Sequence, residues 1–470
     1  MSALTADGAL VRAATAPRFN AAESFNLIAR LERLPISKTL IWTRIVVGTA
    51  TFFDGYTTLA IAFVLPVLSK QWQLSPAEIG WIISSGYIGQ LLGALMCSWL
   101  AERFGRLKIL TATIVVYTLM SLLCIFSWNA ASLIGFRFIQ GIGTGGEVPV
   151  ASAYINEFAA AKRRGQFFLL YEVLFVVGLS FAAILGYFLV PIFGWQSLFC
   201  VGLLPAILTL PMRMFLPESP RWLISKGRLA DAASIVGRLE TEVEASGRML
   251  AEPIPAPMKP VVHETRAGWS ELFSVTYRKR TLMLWALWFT SYTANNGLVT
   301  WLPTLYTKVF DVPLQTALGY GFATNVFGVV TSILCAIYID RVGRRRWYIA
   351  AFFLGTAPLL ALFAMGAKSP IEILILATLG YGIIQTITFS LYLYTAELYP
   401  TRIRAIGSGA GSAWLRIGSA VGPLVVAQVV AISSINWVFL VFALILAGGG
   451  IVCATMAVET RQRVLEELSP

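Results

Sequence analysis

The sequence predicts an all-α membrane protein, twelve transmembrane helices arranged as two six-helix bundles. Three observations carry this. Hydrophobic residues make up 57% of the 470 residues and charged residues 13%, against roughly 25% charged in soluble domains. The charge gathers in loops, leaving twelve apolar runs of about 20 residues or more, the length a helix needs to cross a bilayer. A charged motif also occurs twice, as Glu102-Arg103-Phe104-Gly105-Arg106 and Asp340-Arg341-Val342-Gly343-Arg344, each copy between two apolar runs. In lipid only helices or closed barrels satisfy the backbone, and continuous apolar runs exclude the alternation of a barrel.

Residues 1–22 are small and polar and lack the charged start and apolar core of a signal peptide. Within the tail 1–39, Phe25, Leu27, Ile28, Leu31 and Leu34 recur at helical spacing between Arg30, Glu32 and Arg33. This pattern predicts an amphipathic helix lying on the membrane face. Runs at 40–68, 77–101, 109–128, 132–156, 166–192 and 196–216 build a first bundle over 40–216. Residues 217–280 form a hydrophilic linker with Pro253, Pro255, Pro257 and Pro260, carrying short amphipathic helices around 228–250. Runs at 281–306, 316–339, 347–366, 370–395, 405–431 and 436–457 build a second bundle over 281–457, and 458–470 is a tail.

The second bundle repeats the first. Glu157 follows Glu102 by 55 residues, and Glu397 follows Asp340 by 57, each with arginines just beyond it. The net charge is +12, yet the basic residues are one-sided. Loops on one face carry only Lys70, Lys308 and Lys368, Arg137 and Arg416 fall inside spans, and the other 31 lie on the opposite face. The positive-inside rule makes that face the cytoplasm, with both termini and the linker on it. The charge therefore reports topology, and no soluble basic domain suggests nucleic acid as a partner. The five cysteines are scattered through the spans, and nothing implies a disulfide framework, a metal or a cofactor. The one histidine, His263, sits in the linker, so any proton carrier within the spans is a carboxylate.

These features resemble the major facilitator superfamily over residues 23–465. The repeated loop motif and Arg137-Phe138-Ile139-Gln140-Gly141-Ile142-Gly143 match its signatures. The first loop copy has Glu102 where Asp is usual and Ser98 where glycine is usual. Pro217-Glu218-Ser219-Pro220-Arg221-Trp222 resembles the sugar-porter signature. Gly145-Gly146-Glu147-Val148-Pro149, Glu397-Leu398-Tyr399-Pro400-Thr401-Arg402 and Arg416-Ile417-Gly418 are similar to bacterial metabolite–proton symporters, the nicotinate group and, less closely, the aromatic-acid group. Asp54-Gly55-Tyr56 matches the start of an Asp-Gly-x-Asp motif, with Thr57 at the second acid. The resemblance implies inverted repeats within each bundle. It also implies a monomeric, multi-pass secondary transporter of the inner membrane that is not an enzyme. It would move a small organic solute, nicotinate or a similar aromatic carboxylate, with protons, by alternating access. A sugar or organic-cation porter is the alternative, and a nutrient receptor on a transporter scaffold is the different class.

An ionisable side chain inside a span costs about 3 kcal/mol on insertion scales, so each needs a partner or a task. Asp54 lies in mid-span and can alternate between a protonated form and an ionised form paired with Arg137; the other reading is a permanent structural pair. Glu147, beside Gly145 and Gly146, is a proton relay or a structural hydrogen-bonding group. Arg416 sits at mid-depth in the eleventh span, with no acid near it in the second bundle. There it can meet a substrate carboxylate at two points, or else satisfy itself on backbone carbonyls or on an acid from the other bundle. Asn295 and Asn296 stand where the repeat places Asp54, and with Tyr292, Trp301, Gln90, Gln385, Tyr392 and Tyr394 they are substrate-binding candidates. The loop charges are expected to act as a cytoplasmic gate. Glu102, Arg103 and Arg106 would bridge to Glu157, Arg164 and Glu172, and Asp340, Arg341 and Arg344 to Glu397 and Arg404, clamping both bundles shut on the cytoplasmic side and breaking when the carrier opens inward; a purely topological role for the arginines is the other reading.

Overall fold

Serine side chains cap several of the helices. The computed structural model describes residues 21–35, 37–158, 164–253, 269–399 and 401–460. The Ser37 side chain caps the first span, Lys38–Gln71. Ser75 and Glu78 form a reciprocal capping box with Pro76 in the first turn, opening the second span, Pro76–Phe104. Gly105 then turns the chain at φ +115° into the third span, Arg106–Ile125, and Gly343 does the same at φ +96° between the eighth and ninth spans. Spans four and five are Ala130–Phe158 and Arg164–Phe193. Spans seven to twelve are Arg278–Val309, Leu314–Val342, Arg344–Met365, Pro370–Leu398, Thr401–Ile432 and Ile435–Met456.

The sixth span departs from the expected single run. It comprises Gln196–Val201 and Ala206–Phe215, joined by tightened turns in which Leu203 and Leu204 donate to carbonyls only three residues back. Pro205 is the cause, since it has no N–H for the Val201 carbonyl and its ring clashes with that turn. With this broken span the molecule has twelve transmembrane segments in two bundles. Nine of them, among the described residues, are individually long and apolar enough to cross a membrane.

Close helix approach depends on small residues within each half. A methyl group at Gly89, Gly93 or Gly141 would fall 2.1 Å from a carbonyl oxygen of the partner helix, which holds spans two and four together. The halves meet mainly away from the charged loops. Ser84 donates to the Ala420 carbonyl at 2.7 Å, and Lys308 donates to the Leu74 carbonyl. Gly80 packs on Ala427, and Tyr187 stacks on Phe322. Toward the charged-loop end, the last described hydrogen bond between halves is at mid-depth, from Arg416 Nη2 to the Gly145 carbonyl at 3.5 Å.

The leading amphipathic helix forms over Ala21–Glu32, but protein rather than the membrane face covers its apolar stripe. Leu27, Leu31 and Leu34 are buried in one cluster with Trp222 and with Ile235, Val236 and Leu239 of the linker helix Leu229–Ala245. Charges seal the contact. Arg30 and Arg33 both pair with Glu240, at 2.5 and 2.7 Å, and Arg221 pairs with Glu32.

Candidate transport site

Arg416 lies at the junction of the two halves and is 6% exposed. Its Nη1 donates to the hydroxyl and the carbonyl of Ser412, one turn earlier, and its Nη2 reaches the Gly145 carbonyl of span four. Its Nε is buried without a hydrogen-bond partner, and among the described residues no carboxylate lies within 4.0 Å. A guanidinium left in that condition is costly, and an arriving carboxylate would cancel the cost. Aromatic rings stand beside it. Ser412 accepts from the Tyr392 hydroxyl at 3.4 Å, Tyr392 meets Trp288 edge-on at 4.7 Å, and Trp288 stacks on Tyr292 at 5.5 Å. Gln90 borders the same Gly145 backbone and donates to Thr58 and Thr144.

The paired amides of span seven take different partners. Asn295 Nδ2 donates to Gln385 Oε1 at 2.8 Å within the second half. Asn296 Nδ2 donates to Ser419 at 2.8 Å, and its Oδ1 accepts from the Tyr87 hydroxyl of the first half at 3.2 Å. Asn295 and Gln385 thus form one polar unit, whereas Asn296 belongs to the seam between the halves. Trp301 is 2% exposed and Tyr394 bonds to the Val458 carbonyl at 2.7 Å, which gives both a packing role in this conformation.

The first half carries three intramembrane charges. Arg137 donates to Gln140 Oε1 at 2.9 Å and to the Thr57 carbonyl at 3.4 Å. Its guanidinium lies against span two, where a methyl at Gly86 would sit 2.9 Å from Nη2. Asp54 is 3% exposed. Fully buried Glu147 accepts from Thr51 at 2.9 Å, and Thr51 is one turn from Asp54 on the same helix. Both carboxylates are therefore enclosed by the first half, with a hydroxyl between their levels.

Part of the expected loop pairing is present. Arg106 pairs with Glu102 at 2.5 Å and with Glu157 at 3.1 Å, and Arg344 pairs with Asp340 at 2.6 Å and Glu397 at 2.9 Å. All of these ties lie within one half. The reason is positional: each arginine opens a span whose foot stands between the ends of two neighbours in its own bundle. Among the described residues, Arg103 and Arg341 make no such bridge; they lie over the rings of Trp99, Phe104 and Tyr338. The side chains of Arg164, Glu172 and Arg404, like His263, fall outside the described residues.

Sequence reasoning missed the partners that complete these clusters. Glu218 accepts from the backbone N–H groups of Arg106 and Leu107, and Glu459 accepts from that of Arg344. Thr460 adds a hydrogen bond to Glu397 at 2.6 Å. The available signal was the repeat itself, which sets Glu218-Ser219 after the sixth span and Glu459-Thr460 after the twelfth. Tyr87, Thr51 and Ser412 carried no comparable signal.

Two pseudo-symmetric bundles around a mid-depth polar site define a transporter of the major facilitator superfamily. The chain belongs to its sugar (and other) transporter family, whose model matches residues 42–470. It is 35% identical to the niacin transporter NiaP of Acinetobacter baylyi over 94% of this chain and 99% of the relative. It is 30% identical to the 4-hydroxybenzoate transporter PcaK of the same organism, over 88% and 90%. The solved D-xylose–proton symporter shares the fold at TM-score 0.69 and 18% identity, over 90% of this chain and 99% of the other. The chain is a multi-pass membrane transporter and not an enzyme.

Proposed function

We propose that this transporter carries a small aromatic carboxylate, of which nicotinate is the first candidate, together with protons across the cytoplasmic membrane. The observation that carries the reading is Arg416, a buried guanidinium with an unpartnered Nε, whose partner Ser412 bonds the first of a row of rings, Tyr392, Trp288 and Tyr292. That combination suits a flat ring ending in a carboxylate, and the activities of the relatives, niacin and 4-hydroxybenzoate transport, support it. Asn295 and Gln385 supply neutral hydrogen bonds to the solute, and Asp54 and Glu147 hold the proton.

The basic-residue asymmetry orients the monomer with both termini and the linker in the cytoplasm. The halves then touch on the outer side, and the chain stands in a form accessible from within. The intra-bundle charge clusters keep each half rigid while the halves rock about the site. Proteoliposome uptake of labelled nicotinate and benzoate, driven by an imposed pH gradient, tests the reading. Accumulation above the gradient-free level supports it. Equal handling of each acid and its amide would assign Arg416 to structure and point to a sugar or a cation.

A further inference from the structure

Span four holds Pro149 inside its helix. Proline has no N–H, so the carbonyl four residues back, that of Gly145, loses its partner in the helical ladder. Among the described residues, a donor from the other half of the molecule reaches that carbonyl: Arg416 Nη2, at 3.5 Å. A Cβ at Gly145 would fall 2.2 Å from Gln90 Cα, so span four is pressed on span two at this level and the carbonyl is held in place. Arg416 spends its other end on its own helix, where Nη1 donates to the hydroxyl and the carbonyl of Ser412. Its Nε is buried without a partner. In a planar guanidinium, Nε–H and one Nη2–H lie parallel along one edge, and such an edge takes a carboxylate at two points. The donor that ties the halves thus belongs to the same fork as the donor left vacant.

We propose that the substrate carboxylate and the Gly145 carbonyl compete for Arg416 Nη2, so that a bound acid unties the two halves at mid-depth. The inference rests on reading Arg416 as the carboxylate receptor. The competition is unequal. A carboxylate carries a full charge and accepts from Nε and Nη2 together in short contacts, whereas the carbonyl offers a partial charge to one donor at long range. An acid on the fork also sets its oxygens beside the carbonyl oxygen, and the like charges repel. When the acid leaves, the carbonyl that Pro149 deprived of its N–H takes the donor back. The empty carrier is therefore tied and the loaded carrier is not, so exchange of acid for acid outpaces net uptake. Selection then operates on the moving step as well as on binding. A neutral amide that occupies the ring site leaves the tie in place.

The experiment reads opening of the seam at Ser84, which is buried where the halves meet. Ser84→Cys is placed in the full-length chain with Cys200→Ser, which removes the exposed native thiol, and its reaction with a maleimide is followed in the purified protein. Saturating nicotinate is expected to raise the labelling rate about 2- to 10-fold, the range for one lost hydrogen bond, and nicotinamide to leave it unchanged. Arg416→Ala should show the raised rate without ligand and no response to nicotinate. Pro149→Ala gives the Gly145 carbonyl an N–H of its own and leaves the guanidinium intact. It should raise the ligand-free rate, and adding it to Arg416→Ala should change little. A ligand-free rate unchanged in both single variants would overturn the proposal, as would full additivity of the two. Calorimetric titration of nicotinate tests the substrate reading separately. If nicotinate binds through Arg416 and the labelling rate does not move, the competition is wrong and the carboxylate reading stands. If nicotinate does not bind while both variants loosen the seam, the competition falls with the carboxylate reading and the tie alone stands.

Discussion

The Glu218 carboxylate sits 3.0 Å from the backbone nitrogen of Arg106, and the second half repeats the contact between Glu459 and Arg344 at 2.9 Å. In both places a carboxylate closes the exposed N–H groups at the start of a span, where the helix dipole favours negative charge. The preceding glycine makes room for it. A methyl at Gly105 would lie 2.4 Å from Glu218 Oε2, and one at Gly343 would lie 2.6 Å from Glu459 Oε2. Gly105→Ala adds a left-handed backbone penalty to that clash and is expected to destabilise the first half by about 1–3 kcal/mol. Glu218→Gln, which keeps the shape and loses the charge, should cost about 1 kcal/mol. Thermal unfolding of the purified protein in detergent reads both, and an unchanged Tm for Gly105→Ala would refute the cap.

Arg416 decides the class of substrate. Arg416→Lys should weaken nicotinate binding, because an ammonium cannot make the planar two-point contact. Arg416→Ala should weaken it further, by about 2–5 kcal/mol for a desolvated pair. Nicotinamide should bind wild type poorly and lose little in the alanine variant. Calorimetric titration of both ligands against the three proteins gives the comparison.

Asp54→Asn is expected to abolish accumulation against a gradient while counterflow exchange continues. Exchange needs a binding site and a moving seam but no net proton. Normal pH-driven accumulation by the variant would transfer the proton to Glu147, the other enclosed carboxylate in the first half.

The docking of the leading helix depends on pH through Glu240. Burial raises the pKa of this carboxyl, but its hydrogen bonds and charge contacts with Arg30 and Arg33 outweigh that and hold it below the ordinary value near 4.5. Its contribution is therefore fully present above about 4.5 and is lost as pH falls through the lower value in the folded chain. Hydrogen exchange over residues 21–35 should stay slow at neutral pH and accelerate only below the ordinary carboxyl range. Glu240→Gln should show the faster exchange already at pH 7.

Gly80 faces Ala427 across the seam, and a methyl on it would come within 2.6 Å of the Ala427 Cβ. Gly80→Leu is expected to wedge the outer side apart and shift the carrier outward. Outward labelling should rise, and the net uptake rate should fall at least several-fold as closure becomes the slow step. Uptake at the wild-type rate would show that the seam opens elsewhere.

The bundles, the duplication and the depth of Asp54, Glu147 and Arg416 were legible in the sequence, because hydropathy and repeat spacing are one-dimensional signals. The break in the sixth span was also written there, in Pro205, but a run of apolar residues hid it. The pairing of Arg106 with Glu157 and of Arg344 with Glu397 followed from the repeat. The capping of the same loops by Glu218 and Glu459 did not, because which helix ends stand side by side is a property of the packed bundle. Likewise nothing in the pattern around Asn295-Asn296 says that one amide turns inward to Gln385 and its neighbour outward to Tyr87. That choice follows from the 100° between successive side chains and from what each then encounters.

Among the described residues, no ion pair crosses from one half to the other; small side chains, a few neutral donors, and one lysine and one arginine on carbonyls join them. Among these residues, rocking the halves apart therefore separates no ion pair. The barrier to reorientation should depend little on ionic strength and instead follow temperature and the fluidity of the surrounding lipid. A bacterium whose internal salt swings with its surroundings would keep the same turnover through those swings.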